Sequence, residues 1–252
     1  MPIRHSLVLL LALCASQGYA QPSADATRPS VSVGFYEFPP YSYSDSDSDG
    51  RPQGAILALT QRLLAHAGYR AELRSYPGAR LYGALQDGSV QLWPGAPGKP
   101  ELAAHTLETR NRLGEIVLNL YFRRDTLLPR IPEDLKGRGV ILINGYTYWE
   151  HSNALINDPS LGLTHHRTGT HTAALEMLQR RRADFLLDYQ APVEQARRRL
   201  GMAELPFIQL QRMPMKLILS RHAPGAEALR DALDRAYDQL RAEGQDLSLP
   251  LH

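Results

Sequence analysis

The 252-residue chain has one cysteine, an almost balanced charge and no long apolar run in its body, and each shortage excludes a class of protein. A single cysteine, Cys14, cannot form an intramolecular disulfide, so the chain is not a disulfide-stapled scaffold. A formal net charge of +2 is too small for a nucleic-acid-binding protein, because such proteins neutralise many phosphates. Beyond the N-terminal segment, no stretch reaches the roughly 20 apolar residues that a membrane-spanning helix requires. A hydrophobic content of 43% instead indicates one large domain or two smaller ones with a substantial core.

The first 20 residues have the pattern of a cleavable export signal. Arg4 and His5 precede an apolar run, which ends before the small residues of Gly18-Tyr19-Ala20. We therefore expect residues 1–20 to be a signal peptide and the mature protein to be located in the periplasm. Residues 21–30 are polar and contain proline, so we expect a flexible leader there.

Cys14 lies within this signal segment, so cleavage leaves a mature chain without a thiol. The alternative is that Cys14 is retained as a lipid anchor. A lipidated cysteine is normally preceded by a small residue, whereas Leu13 precedes Cys14. The sequence therefore favours a soluble exported protein over an anchored one.

Alternating strand and helix patterns follow the leader. The first series consists of a strand at 31–35, a helix near 55–67, a strand at 71–75, a helix near 79–86 and a strand at 90–93. Repeated β-α-β units with short links predict a parallel sheet with right-handed crossover connections.

A second alternating series occupies the C-terminal half. Its predicted strands are 140–143, 161–165 and 185–187, and its predicted helices are 148–156, 172–181 and 191–200. A further strand is expected at 216–220. The last element is an amphipathic helix at 225–243, with Leu229, Leu233, Ala236 and Leu240 on one face. Two series of this kind predict an α/β protein with two lobes.

Aromatic, basic and acidic residues are concentrated where predicted strands end or helices begin. The candidate ligand-binding residues are Tyr36, Tyr41, Arg80, Trp93, Arg110, Tyr146, Thr147 and Asp188. In an open α/β sheet, ligands bind beyond the carboxyl ends of the strands. Arginines and a helix N-terminus suit a carboxylate, an acid suits an ammonium group, and aromatic rings stack or make cation–π contacts. The set therefore predicts a site for a small zwitterion.

Other roles are open for several of these residues. The aromatic members could be core or rim residues, since such rings are often partly buried. Arg110 could be a surface residue, because Arg112 lies only two positions away. Asp188 is the clearest candidate, since it directly follows the apolar strand 185–187 at the expected mouth of the crevice.

Two loops resemble ion-binding or phosphate-binding motifs, but neither motif is complete. Residues 45–50 match the first half of a calcium-binding EF-hand loop, whose twelfth position requires glutamate and is here Ile56. Residues 95–99 lack the spacer of a phosphate-binding loop and the Ser or Thr that follows its lysine. These loops predict neither calcium nor nucleotide binding.

Histidine and serine patterns likewise predict no metal or hydrolase site. His165 and His166 project to opposite sides of a strand end, so they and His171 cannot readily share one ion. The chain has no Gly-x-Ser-x-Gly motif of a serine hydrolase. We therefore expect no metal and no cofactor.

Short motifs spread over nearly the whole mature chain carry a family resemblance. They are Phe38-Pro39-Pro40-Tyr41 with Asp49-Gly50 and Gly54, Pro77-Gly78-Ala79-Arg80 with Gly88, Thr109-Arg110, Gly145-Tyr146-Thr147, and Ala183-Asp184-Phe185 leading to Asp188. In their order and spacing, the chain resembles the bacterial extracellular solute-binding proteins of family 3, the type II periplasmic receptors of amino-acid ABC transporters.

This resemblance implies a fold and a division of the chain. The fold is α/β, with two lobes that each contain a mostly parallel sheet flanked by helices. Lobe 1 would comprise 31–119 with 218–252, and lobe 2 would comprise 120–217. Two strands, near 118–122 and 213–217, would cross between the lobes, which close on a ligand like a hinged trap.

The resemblance also assigns roles to residues and partners. Arg110 matches the arginine that grips an amino-acid carboxylate, and Asp188 matches the acid that receives the amino group. Residues 93–97 depart from the family pattern, in which an acidic strand end and Ser/Thr donors precede the arginine. We expect a monomeric receptor that binds a small polar or zwitterionic molecule and delivers it to a membrane permease, without binding nucleic acid.

Two alternatives remain on the same fold. One is a cyclohexadienyl or arogenate dehydratase, which requires a crevice carboxylic acid that apolar surroundings keep protonated. Glu37 and Asp188 are the available acids. The other alternative is a sensory module that presents its closed form to a membrane receptor.

Overall fold

The computed structural model describes residues 28–45, 49–146 and 148–249. Residues 1–20, which include the proposed signal peptide and Cys14, and the candidate ligand residue Thr147 lie outside the described residues. The predictions for those positions therefore stay predictions.

The described residues form eleven strands and six α-helices. The strands are β1 (Ser30–Phe35), β2 (Tyr43–Asp45), β3 (Arg51–Gln53), β4 (Arg70–Ser75), β5 (Leu92–Gly95), β6 (Thr106–Glu108), β7 (Gly114–Phe122), β8 (Gly139–Ile143), β9 (Thr164–Thr168), β10 (Phe185–Tyr189) and β11 (Phe207–Ser220). The helices are α1 (Ala55–His66), α2 (Gly78–Asp87), α3 (Glu150–Ile156), α4 (His171–Gln179), α5 (Gln190–Arg199) and α6 (Ala226–Ala242).

Nine of these strands form one continuous sheet with two parallel halves. Its order is β4-β1-β5-β11-β7-β10-β8-β9, with β6 paired to β11, while β2 and β3 form a separate hairpin. In lobe 1, β1 is parallel to β4 and β5, and in lobe 2, β8 is parallel to β9 and β10. The long strands β7 and β11 pair antiparallel with each other and join the two halves. This is the two-lobe α/β architecture with two crossing strands that the sequence predicts.

The crossing strands are longer than predicted. Strand β11 has 14 residues, and only its last part is buried, whereas Phe207 at its start is 45% exposed. A β-bulge between Gln209 and Gln211 also interrupts the register with β7. The alternation of apolar and polar residues that predicts a strand is therefore weak in the first half of β11. Only its buried end, at 216–220, is recognised from the sequence.

The amphipathic face of α6 is buried as predicted. Leu229, Leu233, Ala236 and Leu240 are each at most 4% exposed and belong to the main hydrophobic core with residues of β1 and α1. Burying a leucine side chain contributes on the order of 1.5–3 kcal/mol. This helix therefore fixes the C-terminal segment against lobe 1.

Gly54 holds the loop after β1 in place. Its φ of 123° is rarely adopted by side-chain-bearing residues, and a Cβ at this position would lie 2.2 Å from the carbonyl oxygen of Tyr41. The start of α1 therefore packs directly on the backbone of the turn at 38–42. This contact positions the aromatic residues of that turn at the end of β1.

Candidate functional site

The carboxyl ends of strands from both lobes meet at one crevice. Tyr36 follows β1, and Tyr146 lies three residues after β8. Their ring centroids are 6.1 Å apart, so the two strand ends face each other across the lobes. This is the position at which α/β sheets bind ligands.

Aromatic rings from both lobes pack together in the centre of the crevice. Phe38 of lobe 1 lies 5.9 Å from the ring of Tyr146 and 5.2 Å from that of Tyr189, both in lobe 2. The ring of Trp149 lies 5.9 Å from that of Tyr189. Pairs of this geometry contribute about 0.5–1.5 kcal/mol each beyond their buried area. The rings therefore hold the two lobes in contact.

The phenols of this cluster stay neutral. Burial raises the pKa values of Tyr36, Tyr146 and Tyr189 well above that of an exposed tyrosine. The charge of Asp188 raises the pKa of Tyr146 further. Each phenol therefore acts as a hydrogen-bond donor and acceptor, not as a base.

A buried acid, an imidazole and a phenol form a chain of hydrogen bonds. Asp188 is fully buried, and its Oδ2 lies 2.7 Å from Nδ1 of His171. Nε2 of His171 lies 3.1 Å from the hydroxyl of Tyr146, which lies 3.2 Å from the carbonyl oxygen of Glu37 in lobe 1. The chain therefore begins in the core of lobe 2 and ends on lobe 1.

The hydrogens available in this series of hydrogen bonds limit how His171 can be bonded. Tyr146 has one hydroxyl hydrogen, and the carbonyl oxygen of Glu37 can only accept. When the phenol donates to that carbonyl, Nε2 of His171 must donate to the phenol oxygen, while Nδ1 donates to the carboxylate of Asp188. When the phenol instead donates to Nε2, a proton on Nδ1 alone satisfies the chain, so both ring nitrogens of His171 are engaged in either case.

The side chain of Glu37 is held within lobe 1. Its carboxylate accepts from the backbone N–H of Ser44 at 3.0 Å, from the hydroxyl of Ser44 at 2.8 Å and from the hydroxyl of Ser75 at 3.0 Å. These three hydrogen bonds tie Glu37 to the strands β2 and β4.

A second contact between the lobes surrounds Trp149. Its indole N–H donates to the carbonyl oxygen of Pro97 at 3.2 Å, and Nζ of Lys99 lies 4.1 Å from the ring centroid. Lys99 is 5% exposed, and burial lowers its pKa to about 8. The loop after β5, which departs from the expected family pattern, thus contributes a cation–π contact between the two lobes.

A cavity of about 340 Å³ lies beside the ring cluster, and we call it the interlobe cavity. Glu37 and Pro39 line it from lobe 1. The polar residues that line it from lobe 2 include Asn144, Tyr146, Thr170, His171, Gln195 and Arg199. It is large enough for a small solute, and its walls combine side-chain hydrogen-bond donors with apolar residues such as Pro39, Ile143 and Pro192.

The structure brings together four of the eight candidate residues. Tyr36 and Tyr146 lie at the crevice, with Trp93 buried against Tyr36 and Asp188 buried behind His171. The ring of Tyr36 lies 5.8 Å from that of Trp93, which is 2% exposed and also packs on Tyr82. Trp93 therefore supports Tyr36 from the core of lobe 1.

The other candidates among the described residues lie elsewhere or at the margin. Tyr41 is buried beneath Phe38, at a ring distance of 6.0 Å. Arg80 is exposed on α2. Arg110 is a surface residue, as the alternative interpretation had it: its guanidinium pairs with Asp238 and its backbone N–H donates to Asp234, both on α6. Helix α6 therefore holds this arginine on the outside of lobe 1, and its predicted carboxylate contact stays a prediction.

Several residues of the site were not among the candidates. His171 was considered only as a metal ligand, yet its partner is Asp188. Tyr189 could have been recognised, since it directly follows the strand-end acid. Lys99 lies in an irregular loop whose path cannot be read from periodicity. Among the described residues, no group of three or more side chains could hold a metal ion.

None of the helices in the described part of the chain is long and apolar enough to span a membrane. No protein-family model and no curated protein sequence matches the chain.

Solved structures match in fold. An ancestral arginine-binding protein bound to arginine is similar with a TM-score of 0.69 and 19% identity, over 86% of this chain and 94% of that one. A histidine kinase sensor domain with similarity to periplasmic binding proteins gives a TM-score of 0.68 and 23% identity, over 86% and 92%. A substrate-binding protein of an ABC uptake transporter from Streptococcus pneumoniae, with bound histidine, gives 0.68 and 15%, over 85% and 88%. These likenesses establish the type II periplasmic-binding-protein fold.

Proposed function

We propose that the protein is an exported receptor that captures a small amino-acid-like solute between its lobes and delivers it to the permease of an ABC transporter. The observation that carries the proposal is the crevice itself, where strand ends from both lobes meet around a cavity of about 340 Å³. Two of the similar structures hold arginine or histidine, which supports an amino-acid-like ligand.

The division into lobes and the site residues belong to the same proposal. Lobe 1 comprises 31–119 with 218–252, and lobe 2 comprises 120–217. Tyr36, Tyr146 and Asp188 shape the site. Thr147 follows Tyr146 directly, and we retain it as a ligand contact. The receptor is exported through residues 1–20 and acts as a monomer.

The chemistry of the crevice acids favours binding over dehydration. A dehydratase of this fold requires a carboxylic acid kept protonated in apolar surroundings. Glu37 instead accepts hydrogen bonds from Ser44 and Ser75, and Asp188 accepts from His171 and from the backbone N–H of Tyr189. Each acid is therefore hydrogen-bonded to polar partners of its own lobe and does not stand alone in apolar surroundings.

Sensing is the second candidate function, because a histidine kinase sensor domain shares the fold. Transport and sensing differ in the partner that reads the closed state. A permease and an ATPase encoded beside the gene would support transport, whereas a histidine kinase encoded there would support sensing.

Thermal unfolding and calorimetry with a panel of amino acids, organic acids and polyamines test the proposal. A ligand at 100 times its Kd should stabilise the protein by about 2.7 kcal/mol, which raises the melting temperature by a few degrees. A protein that none of the panel stabilises would contradict the receptor function and leave only the fold.

A further inference from the structure

Three hydrogen-bond contacts run in series from the core of lobe 2 to lobe 1. Oδ2 of the fully buried Asp188 lies 2.7 Å from Nδ1 of His171, and Nε2 of His171 lies 3.1 Å from the hydroxyl of Tyr146. That hydroxyl lies 3.2 Å from the carbonyl oxygen of Glu37. The first two contacts lie within lobe 2, and the third joins the lobes.

The phenol of Tyr146 cannot donate to both of its neighbours at once. It has one hydrogen, and the carbonyl oxygen of Glu37 supplies none. If the hydroxyl donates to Nε2 of His171, the oxygen atoms of Tyr146 and Glu37 face each other without a hydrogen between them. If the hydroxyl donates to Glu37, Nε2 must itself carry a hydrogen. The hydrogen bond between the lobes therefore depends on the protonation of His171.

The buried acid decides which nitrogen of a neutral His171 carries the hydrogen. Oδ1 of Asp188 already accepts the backbone N–H of Tyr189 at 2.7 Å, and Oδ2 faces Nδ1. A neutral ring with its hydrogen on Nε2 would place two lone pairs 2.7 Å apart in the interior, which is costly for buried polar groups. The neutral ring therefore has its hydrogen on Nδ1. Nε2 gains a hydrogen only when the Asp188–His171 pair takes up one more proton from solvent.

The ionisable groups around the pair come from four elements. Tyr146 lies after β8, Tyr189 ends β10, Arg199 ends α5, and Glu37 lies two residues after β1 in lobe 1. Burial raises the pKa values of both tyrosines well above the usual value, so they stay neutral. Arg199 and Glu37 line the interlobe cavity with His171 and carry opposite charges. They therefore act in opposite directions on proton uptake by the pair.

The other ionisable residues of α4 and of the elements packed on it lie outside the interlobe cavity. Glu176 pairs with Arg180, and Glu194 pairs with Arg197. Nε2 of His165 lies 2.8 Å from the carbonyl oxygen of Ile156. The remaining members are His166, Arg167 and Arg198. Asp188 and Tyr146 are therefore the side chains to which the ring of His171 bonds.

We infer that proton uptake by the Asp188–His171 pair fastens the two lobes together through Tyr146. The added hydrogen on Nε2 turns the phenol hydrogen toward the carbonyl oxygen of Glu37, and loss of that proton turns it back to His171. The inference rests on the proposed receptor function, in which the lobes open and close, and makes closure depend on acidity. Imidazole suits this role, because it is the side chain that ordinarily gains and loses a proton near neutral pH. One hydrogen bond should raise the ratio of closed to open molecules about two- to tenfold.

Interlobe distances measured without ligand at pH 5 and pH 9 test the inference. Spin labels at Ala65→Cys on α1 and Gln179→Cys on α4, both exposed positions, give the ratio of short to long distances. Lys99 also titrates in this range, with a pKa of about 8. The natural protein is therefore compared at each pH with Tyr146→Phe, which keeps Lys99 and the ring but has no hydroxyl hydrogen. The ratio in the natural protein should exceed that in Tyr146→Phe about two- to tenfold at pH 5 and should equal it at pH 9.

Two histidine backgrounds assign this pH dependence to the pair. In a His171→Gln background, Tyr146→Phe should change the ratio by the same factor at both pH values. In a His151→Gln background, which alters an exposed histidine on α3, the difference between the two pH values should persist. Circular dichroism melting identifies any variant that fails to fold, and the comparison with Tyr146→Phe alone keeps the test valid if His171→Gln is unstable.

The outcomes separate this inference from the receptor function. An equal effect of Tyr146→Phe at pH 5 and pH 9, or a pH dependence that persists in the His171→Gln background, would overturn the proton-dependent contact and leave the receptor function standing. Failure of every member of the ligand panel to bind would overturn the receptor function, whereas the distances are measured without any ligand.

Discussion

Adding a methyl group at Gly78 should push the two lobes apart. It opens α2 in lobe 1, and a Cβ built on it lies 2.9 Å from the carbonyl oxygen of Gly145 in lobe 2. Ordinary van der Waals contact begins at 3.4 Å, so the Gly78→Ala variant is too close by about half an ångström. Because the neighbouring atom is a backbone carbonyl oxygen, the added methyl group can be accommodated only if backbone moves.

The expected magnitude follows from the cost of such a clash. Overpacking in a rigid interface costs about 1–3 kcal/mol. In the proposed receptor, the closed state alone bears this cost, since opening the crevice removes the contact. The ratio of closed to open molecules should therefore fall about 5- to 150-fold.

Distance measurements between spin labels on the two lobes can detect this shift. Expressed from residue 21 onward, the chain has no cysteine, so labels can be attached at Ala65→Cys on α1 and Gln179→Cys on α4, both exposed positions. The Gly78→Ala variant should show a larger population at long distance. Its affinity for any ligand of the closed state should fall by the same factor.

Gly83→Ala is the matched control, because it lies on the same helix and no atom lies within 4 Å of its added Cβ. It should leave the distance distribution unchanged and raise stability by up to about 1 kcal/mol, since alanine is the better helix former. If Gly78→Ala gives the same distances as Gly83→Ala, the contact between Gly78 and Gly145 does not limit closure, and the reasoning is refuted.

Three further perturbations probe the crevice. Asp188→Ala should lower the free energy of unfolding by about 3–5 kcal/mol in urea, because it leaves His171 without its buried partner. Tyr146→Phe should cost about 1 kcal/mol, because it removes the hydroxyl that bonds to His171 and Glu37 but keeps the ring. Lys99 loses its proton near pH 8 in the folded protein and only near 10.5 in the unfolded chain. Its contribution to stability should therefore increase between those pH values, and Lys99→Met should lack this increase.

Each of these three predictions has an outcome that would contradict it. Asp188→Ala and Asp188→Asn of equal stability to the natural protein would show that the ion pair with His171 is not formed. A Tyr146→Phe variant destabilised as much as Tyr146→Ala would assign the effect to the ring. Parallel pH–stability curves for the natural protein and Lys99→Met would show that Lys99 has an ordinary pKa when folded.

Hydrophobic periodicity predicts most of the fold because the lobes bury continuous apolar strands. The apolar residues of β1 and β10 and the buried face of α6 form local patterns in the sequence, so a few neighbouring residues are enough to predict these elements. The first half of β11 is not, since its half-exposed residues and its bulge give no regular alternation.

The sequence predicts the position of a site residue only where that residue lies at the end of a recognisable strand. Asp188 lies near the end of β10 and Tyr146 lies three residues after β8, so their position near the crevice follows from the sheet. The partner of each side chain depends on tertiary packing instead. Arg110 is drawn to Asp238 by the docking of α6, 128 residues away along the chain, and no local pattern carries that information.

The position of Trp149 gives the protein an optical reporter. The chain has two tryptophans, and Trp93 is sealed in the interior of one lobe. Trp149 lies between the two lobes, where its indole contacts Pro97 and Lys99 of the opposite lobe. Solvent reaching that indole should shift its emission to longer wavelength, so intrinsic fluorescence can follow the motion of the native chain in real time, without any dye.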